Sequence, residues 1–369
     1  MKITILQENL KNSLNHLQKT IPTKPQLPIL SSILLEAKKN RLFLSATDLY
    51  FGIRTEIDIK VDEEGVIVVP GDTFRSLINS LSQEEIKISH TQQNILIQTN
   101  KNKVSLPLQN PEEYPPFPEI SGTVLNLSLE DLERIIKLVS FTASLDQTRP
   151  VLTTILFKFS KDSLEVVATD GYRLSRLMID KEFEEELEMM VPAKALQEIY
   201  RVATQLNSKT VSIQVSQELK QALFCIDQTN FYVRLIDGEY PPYQKIVPDS
   251  FLFECEFEVE DLMQQLKRAM IFCRDSSNII RLQIDAEKIL IKSSSPVAGN
   301  FEGEVSLNKS NFQGEQQIAF NANYLHDFLN NIKDGIIWFS MNESLKPAMF
   351  KTMKQDDYFH VVMPFRVNE

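Results

Sequence analysis

Apolar positions along the chain follow two alternating periods. Spacings of three and four residues bring Leu10, Leu14 and Leu17 onto one stripe. They do the same for Leu132, Ile135, Ile136 and Val139, and for Leu262, Leu266, Ala269, Met270 and Cys273, and each stripe predicts an amphipathic helix. Residues 94–98, 211–215 and 288–292 alternate apolar and polar instead, which predicts half-buried strands. A third pattern is a strand running into a helix. The run 66–70, ending at Pro70, precedes Phe74, Leu77, Ile78 and Leu81; 189–192, ending at Pro192, precedes Leu196, Ile199, Tyr200 and Ala203; 318–321, ending at Asn321, precedes Leu325, Phe328, Leu329 and Ile332. Both prolines suit a first helical turn, where the missing N–H is not needed. Ser128 with Asp131, and Glu260 with Asp261, suit helix N-termini.

The stretch Val166-Val167-Ala168-Thr169-Asp170-Gly171-Tyr172-Arg173-Leu174-Ser175 predicts strand, tight turn, strand, with Asp-Gly as the turn signal. A weaker copy, Leu44-Ser45-Ala46-Thr47-Asp48-Leu49-Tyr50, precedes it by 122 positions. Leu10 and Leu132 are separated by the same 122, as are Pro70 and Pro192. Tyr114-Pro115-Pro116 and Tyr240-Pro241-Pro242-Tyr243 close the first two units, and Val361-Val362-Met363-Pro364-Phe365 closes the third. Ser293-Ser294-Ser295-Pro296 stands where the others have Thr-Asp. Such a periodicity is read as a threefold repeat. It predicts an α+β chain of three similar domains, 1–120, 121–249 and 250–369, each with two helices on one face of antiparallel sheets. Like units in a row leave two unlike ends, and a head-to-tail contact between those ends can close a ring.

Composition narrows the class. The 369 residues are 43% hydrophobic and 24% charged, as in ordinary globular chains. No apolar run approaches the ~18 residues of a membrane span, and the N-terminus turns polar too soon for a secretory signal, so a cytoplasmic location is expected. Three cysteines without CxxC spacing and four scattered histidines suggest neither disulfides nor a metal, and no cofactor is expected. Asp48, Asp170 and His326 are the only candidates for a hydrolytic site, and no nucleophile elbow or phosphate loop accompanies them. A net charge of −11 argues against nucleic acid. The helical bodies 8–20, 73–82, 132–143, 193–209, 262–274 and 323–333, however, hold twelve basic residues against four acidic ones. Five carboxylates at the helix starts lower that balance from +8 to +3. The helix faces are basic and the rest of the chain is acidic.

The repeats, Ala168-Thr169-Asp170-Gly171-Tyr172-Arg173-Leu174, the Tyr240-Pro241-Pro242-Tyr243 segment, Leu27-Pro28-Ile29-Leu30 and the terminal Val361 to Val367 together resemble the bacterial β sliding clamps, and the likeness covers the whole chain. The resemblance implies a homodimeric ring of six domains that encircles duplex DNA without sequence preference and without catalysis. Partners would be the DNA polymerase III α subunit, the clamp loader and other proteins carrying a short peptide of glutamine, leucine and a leucine-phenylalanine pair. It assigns a peptide pocket to Leu152, Thr169, Gly171, Tyr172, Arg173, Leu174, Pro241, Lys245, Ile246, Val247, Ser277, Asn321, Tyr324, Leu345, Pro347, Val361, Val362, Met363, Pro364, Phe365 and Arg366. Lys245 replaces a common arginine there, and Phe365 a common methionine. Leu152, Leu174, Val247 and Val361 would form its floor, Gly171 would admit close backbone approach, and Arg173 and Asn321 would orient the glutamine. Two buried peptide side chains at about 1.5 to 3 kcal/mol each suggest micromolar affinity.

Residues implied to face DNA are Lys11, Lys19, Lys24, Arg75, Arg134, Lys137, Gln147, Arg149, Lys194, Arg201, Lys267, Arg268 and Lys333. Pro150 and Val151 stand where relatives carry aromatic residues after that arginine. The implied dimer contact uses Val104 and Leu106 against Ile271 and Phe272, with Lys103 and Arg75 facing Glu302 and Glu304. A scaffold of the same fold that never encircles DNA is the remaining alternative.

Overall fold

The computed structural model describes residues 1–275, 277–352 and 355–366; Val367 of the terminal motif lies outside them. The chain folds as two compact units: residues 1–130 with 194–235, and 131–193 with 236–369. The described residues form six α-helices: α1 (Gln7–Leu17), α2 (Gly71–Ser80), α3 (Leu129–Leu138), α4 (Ala193–Gln205), α5 (Val259–Ala269) and α6 (Ala322–Ile332). Each third of the sequence contributes two, as the repeat predicts. All strand pairs among the described residues are antiparallel.

Unit 1 holds α1, α2, α4 and two sheets. The five-stranded sheet runs Lys60–Glu63, Lys2–Leu6, Glu85–His90, Asn94–Gln98, Lys103–Pro107. The eight-stranded sheet runs Val124–Ser128, Thr210–Ser216, Gln221–Ile226, Thr229–Arg234, Phe51–Asp58, Arg41–Thr47, Ser32–Lys38, Gly65–Pro70. Strands from the first and middle repeats meet where Phe231 pairs with Ile53. Unit 2 holds α5, α6, the body of α3 and two further sheets. Its nine-stranded sheet runs Leu187–Pro192, Thr154–Phe159, Ser163–Thr169, Arg173–Asp180, Gln355–Val362, Ala348–Thr352, Ile336–Met341, Phe253–Glu258, Lys309–Ser310. Here the middle and last repeats meet, Leu174 pairing with Val361. The four-stranded sheet runs Gly299–Ser306, Lys288–Ser295, Ile279–Ile284, Gln316–Asn321.

The helical stripes predicted from spacing are largely buried, with Leu77, Leu81, Ile136, Tyr200, Met270 and Ile332 half-buried. Leu10, Leu14, Leu17, Leu196 and Ile199 are fully buried in unit 1, as are Ile135, Leu266, Leu325 and Phe328 in unit 2, each removing on the order of 1.5 to 3 kcal/mol of apolar surface from water. Two local expectations change. Pro70 ends its strand and caps α2 from outside the helix, and Pro192 likewise precedes α4, so neither proline occupies the first turn. In the third copy Asn321 takes that place, and its side chain accepts the N–H of Asn323 at 3.0 Å, a cap in the proper sense. Helix α5 ends at Ala269, so Cys273 is buried from the following loop and not from the helix.

Candidate functional site

The duplicated turn is built from the same hydrogen bonds in both units. In unit 2 the Thr169 hydroxyl donates to the Arg173 carbonyl at 2.6 Å and accepts the Gly171 N–H at 3.0 Å. Asp170 Oδ1 accepts the N–H groups of Tyr172 and Arg173 at 2.8 and 3.0 Å. In unit 1 Thr47 donates to the Phe51 carbonyl at 3.2 Å and accepts from Leu49 at 3.0 Å, while Asp48 accepts from Tyr50 and Phe51. Short polar side chains that replace missing backbone partners are what this turn requires. The third copy does so with one atom: Ser295 Oγ accepts from Val297 and Ala298. Asp48 and Asp170 are thus occupied as turn caps, while His326 lies 3.9 Å from Asp327. Among the described residues no group of three or more His, Cys, Asp or Glu could hold a metal.

Around the second turn, unit 2 assembles most of the predicted pocket. Arg173 pairs with Val362 and Leu174 with Val361 across the strands, and the Met363 N–H donates to the Tyr172 carbonyl at 2.8 Å. Leu174 and Val361 join Met349 and Tyr243 in a buried cluster against which Val151 and Val247 lie half-buried. Leu152 is buried as well. Of the predicted floor only Val247 is half-exposed, and most of the exposed apolar surface around it comes from Tyr172 (55%), Leu345 (56%), Phe365 (46%) and Ile246 (39%). Tyr172 stacks on Tyr324 at 6.2 Å. The Phe365 N–H donates to the Ala319 carbonyl at 2.7 Å. Leu345 and Phe365 line a separate cavity of about 790 Å³ with Leu252, Arg281 and Asn342. Pro241, Pro347, Met363 and Pro364 are half-buried; Lys245, Ser277 and Arg366 are exposed.

Three of the assigned residues have structural duties within the chain. Arg173 is held, not free: it donates to Asp170 (3.1 Å), Asp327 (2.7 Å) and the Phe141 carbonyl (3.1 Å), and lies over the Tyr324 ring at 4.8 Å. It braces the turn with three of the five N–H donors of its guanidinium. A Cβ on Gly171 would meet only an Arg149 nitrogen at 3.9 Å, so within the chain it is the φ of +92° that calls for glycine. The Asn321 side-chain oxygen is engaged in capping α6. Sequence reasoning missed Asp327, Phe141, Met349 and Tyr243. Asp327 sits on a helix 154 positions from Arg173, and no local pattern pairs them.

The predicted DNA-facing residues divide by local pairing. Arg201 is bound by Glu198 (2.6 and 2.9 Å) and Gln205, and Arg75 lies 3.6 Å from Asp72. In unit 2, Arg134 pairs with Asp357 at 2.5 Å, Lys137 with Glu133, and Arg149 with Asp146, while Arg268 donates to Gln265. Lys19, Lys24, Lys194 and Lys267 are exposed and Lys11 half-buried, and none makes an ion pair among the described residues. Gln147 is exposed, and Lys333 follows the end of α6.

Val104 and Leu106 lie half-buried on Lys103–Pro107, the outer strand of the five-stranded sheet. Ile271 is 56% exposed after α5, whereas Phe272 stacks at 6.0 Å on Phe301 of the outer strand Gly299–Ser306. Glu302 and Glu304, expected to face Lys103 and Arg75, pair within their own sheet with Lys292 (3.6 Å) and Lys288 (2.6 Å).

Comparison with known proteins follows the same threefold division. Family models for the N-terminal, central and C-terminal domains of the DNA polymerase III beta subunit match residues 1–118, 126–242 and 244–366. The chain is 29% identical to a protein named beta sliding clamp from Staphylococcus epidermidis over 379 residues, covering 99% of each. Its Staphylococcus aureus counterpart is 28% identical over 378 residues, again with 99% of each covered. Among solved structures, the beta subunit of DNA polymerase from Streptococcus pyogenes superposes with a TM-score of 0.94 at 25% identity, with all of each chain covered. The DNA polymerase III subunit beta of Pseudomonas aeruginosa does so with 0.93 at 26%, also over the full length of both.

Proposed function

The chain belongs to the DNA polymerase III beta-subunit family, the sliding clamps, and from that premise we propose that two copies close a ring around duplex DNA and tether partners to it. The protein is a processivity clamp for replication. Closure joins the two outer strands, Lys103–Pro107 of one protomer and Gly299–Ser306 of the other, in a head-to-tail contact. The observation that carries this reading is that each strand ends a sheet with one edge unpaired among the described residues. Such edges in soluble proteins are normally covered.

DNA is held mainly by encirclement, aided by the exposed lysines at positions 24, 194 and 267, while Arg134 and Arg201 shape the helix faces through their own ion pairs. Partners, including the polymerase α subunit and the clamp loader, dock a short apolar peptide between Tyr172, Ile246 and Phe365, with Leu345 at the edge. In this reading residues 1–120, 121–249 and 250–369 are the three clamp domains, the protein catalyses nothing itself, and it works in the cytoplasm. No helix among the described residues is long and apolar enough to cross a membrane.

Light scattering should give a dimer near twice 42.4 kDa, and a stable monomer would remove the ring. Protein loaded on nicked circular DNA should be released when the circle is cut, since only a topological link is lost through an end. For the docking site, Met363→Ala with Phe365→Ala should abolish binding of a Gln-Leu-Asp-Leu-Phe peptide and leave the dimer intact. Unchanged affinity would move the site elsewhere.

A further inference from the structure

We propose that unit 1 carries a second peptide-docking site at the Thr47 turn, which takes an extended partner segment bearing one leucine or aromatic side chain followed by a carboxylate. The site is the internal-repeat counterpart of the surface around Thr169. The Arg234 N–H donates to the Tyr50 carbonyl at 2.8 Å as the Met363 N–H does to Tyr172, and Tyr232 faces Gly52 as Val361 faces Leu174. By register, Arg234 therefore stands where Met363 stands and Tyr232 where Val361 stands, and Phe117, three residues after Tyr114 as Tyr243 is three after Tyr240, takes the place of Tyr243.

These exchanges give the copy its own chemistry. Gly52 lets the Phe117 ring approach, since a Cβ there would lie 2.7 Å from it, and Phe117 meets Tyr232 edge-on at 4.8 Å. The result is a cavity of about 140 Å³ walled by Tyr50, Phe51, Pro116, Phe117 and Tyr232, with Thr47, Gln221 and Arg234 also in its lining. Drug-sized ligands need roughly 300–1,000 Å³; this volume suits a single side chain. Tyr50 is 54% exposed and Leu49 39%, so apolar surface remains for a neighbouring residue of the peptide.

The carboxylate follows from Arg234. Its guanidinium lies over the Tyr50 ring at 5.6 Å and makes no ion pair among the described residues, in a chain with 50 acidic and 39 basic residues. A cation held by a ring beside a cavity walled by aromatic and proline side chains recognises an anion placed next to an apolar group. One cation is too little for a nucleic-acid backbone, which is bound by several. Strand addition is excluded as well, because Thr229–Arg234 and Phe51–Asp58 are interior strands with both neighbours in place. Recognition must proceed by side-chain insertion.

The test is fluorescence anisotropy with a labelled acetyl-Gly-Leu-Phe-Asp-Gly-amide peptide, titrated against full-length Met363→Ala with Phe365→Ala protein, which silences the unit 2 surface. Saturable binding at one peptide per chain is expected. Adding Arg234→Glu should weaken it at least about tenfold and Arg234→Lys by about threefold or less. Replacing the peptide's aspartate by asparagine should weaken it about tenfold as well. No binding in the silenced background, or binding indifferent to Arg234→Glu in a protein of unchanged thermal midpoint, overturns the proposal. The unit 2 reading is tested apart, by the Gln-Leu-Asp-Leu-Phe peptide on otherwise unmodified protein.

Discussion

His360 shows what burial does to a single side chain. Its ring is fully buried, lies parallel to Phe328 at 4.7 Å and shares a 2.8 Å hydrogen bond with Ser175, while Nε2 has no partner. Burial first, and the charge of Arg173 second, hold its pKa well below the usual histidine value. The unfolded chain takes up a proton near pH 6.5 that the folded chain refuses. Stability is therefore complete above that pH and declines as pH falls below it. His16, lowered by burial and by Arg201, acts in the same direction. The thermal midpoint should drop between pH 7.5 and 5.5, and His360→Phe should flatten that slope; an unchanged slope would assign the acid sensitivity to other groups. At Gly171 the cost of change is backbone strain alone. With φ at +92° and only an ordinary contact to Arg149 at the missing Cβ, Gly171→Ala should lose about 1–2 kcal/mol in urea unfolding. Leu49 holds the same place in the first copy at φ +77°, so a side chain there is tolerated but strained.

At the scale of elements, the unit of construction is the capped hairpin with a tyrosine behind it. The Tyr114 hydroxyl donates to the Ser45 carbonyl at 3.3 Å and the Tyr240 hydroxyl to the Val167 carbonyl at 3.5 Å, the two acceptors lying 122 positions apart. Burial raises both phenols above their ordinary pKa, which keeps them neutral donors. The outer strands carry a different constraint. Phe272 is partly used by Phe301 in its own unit, leaving Ile271 as the exposed apolar contact. Ile271→Ala with Phe272→Ala should convert the dimer to monomer at micromolar concentration in sedimentation, without unfolding either. A dimer of undiminished strength would show that the closing contact uses other residues.

For the whole molecule, the net charge of −11 and a DNA-encircling role coexist because the cations are sparse and local. Several of the basic residues on the helices have carboxylate partners, so few remain for phosphates, and a protein held by topology needs few. Lys24→Glu with Lys194→Glu should shorten the lifetime on circular DNA at low salt. The effect should shrink as ionic strength rises and counterions screen the contacts. Lifetimes on the circle that ignore both substitutions would mean that these lysines do not face DNA.

Much of this was legible in the sequence because it is local or periodic. The stripe of Leu132 and Ile135, the Thr-Asp turn and the 122-residue offset are each written in adjacent residues, and they determined the helices, the hairpins and the threefold duplication. Tertiary structure decided which partners those pieces meet. Arg173 found Asp327 across 154 positions, Val361 came to lie beside Leu174, and the strands of the middle repeat divided between two units. Contacts of that range depend on how sheets pair and helices pack, and hydrogen-bond register between distant strands leaves no trace in the order of neighbouring residues.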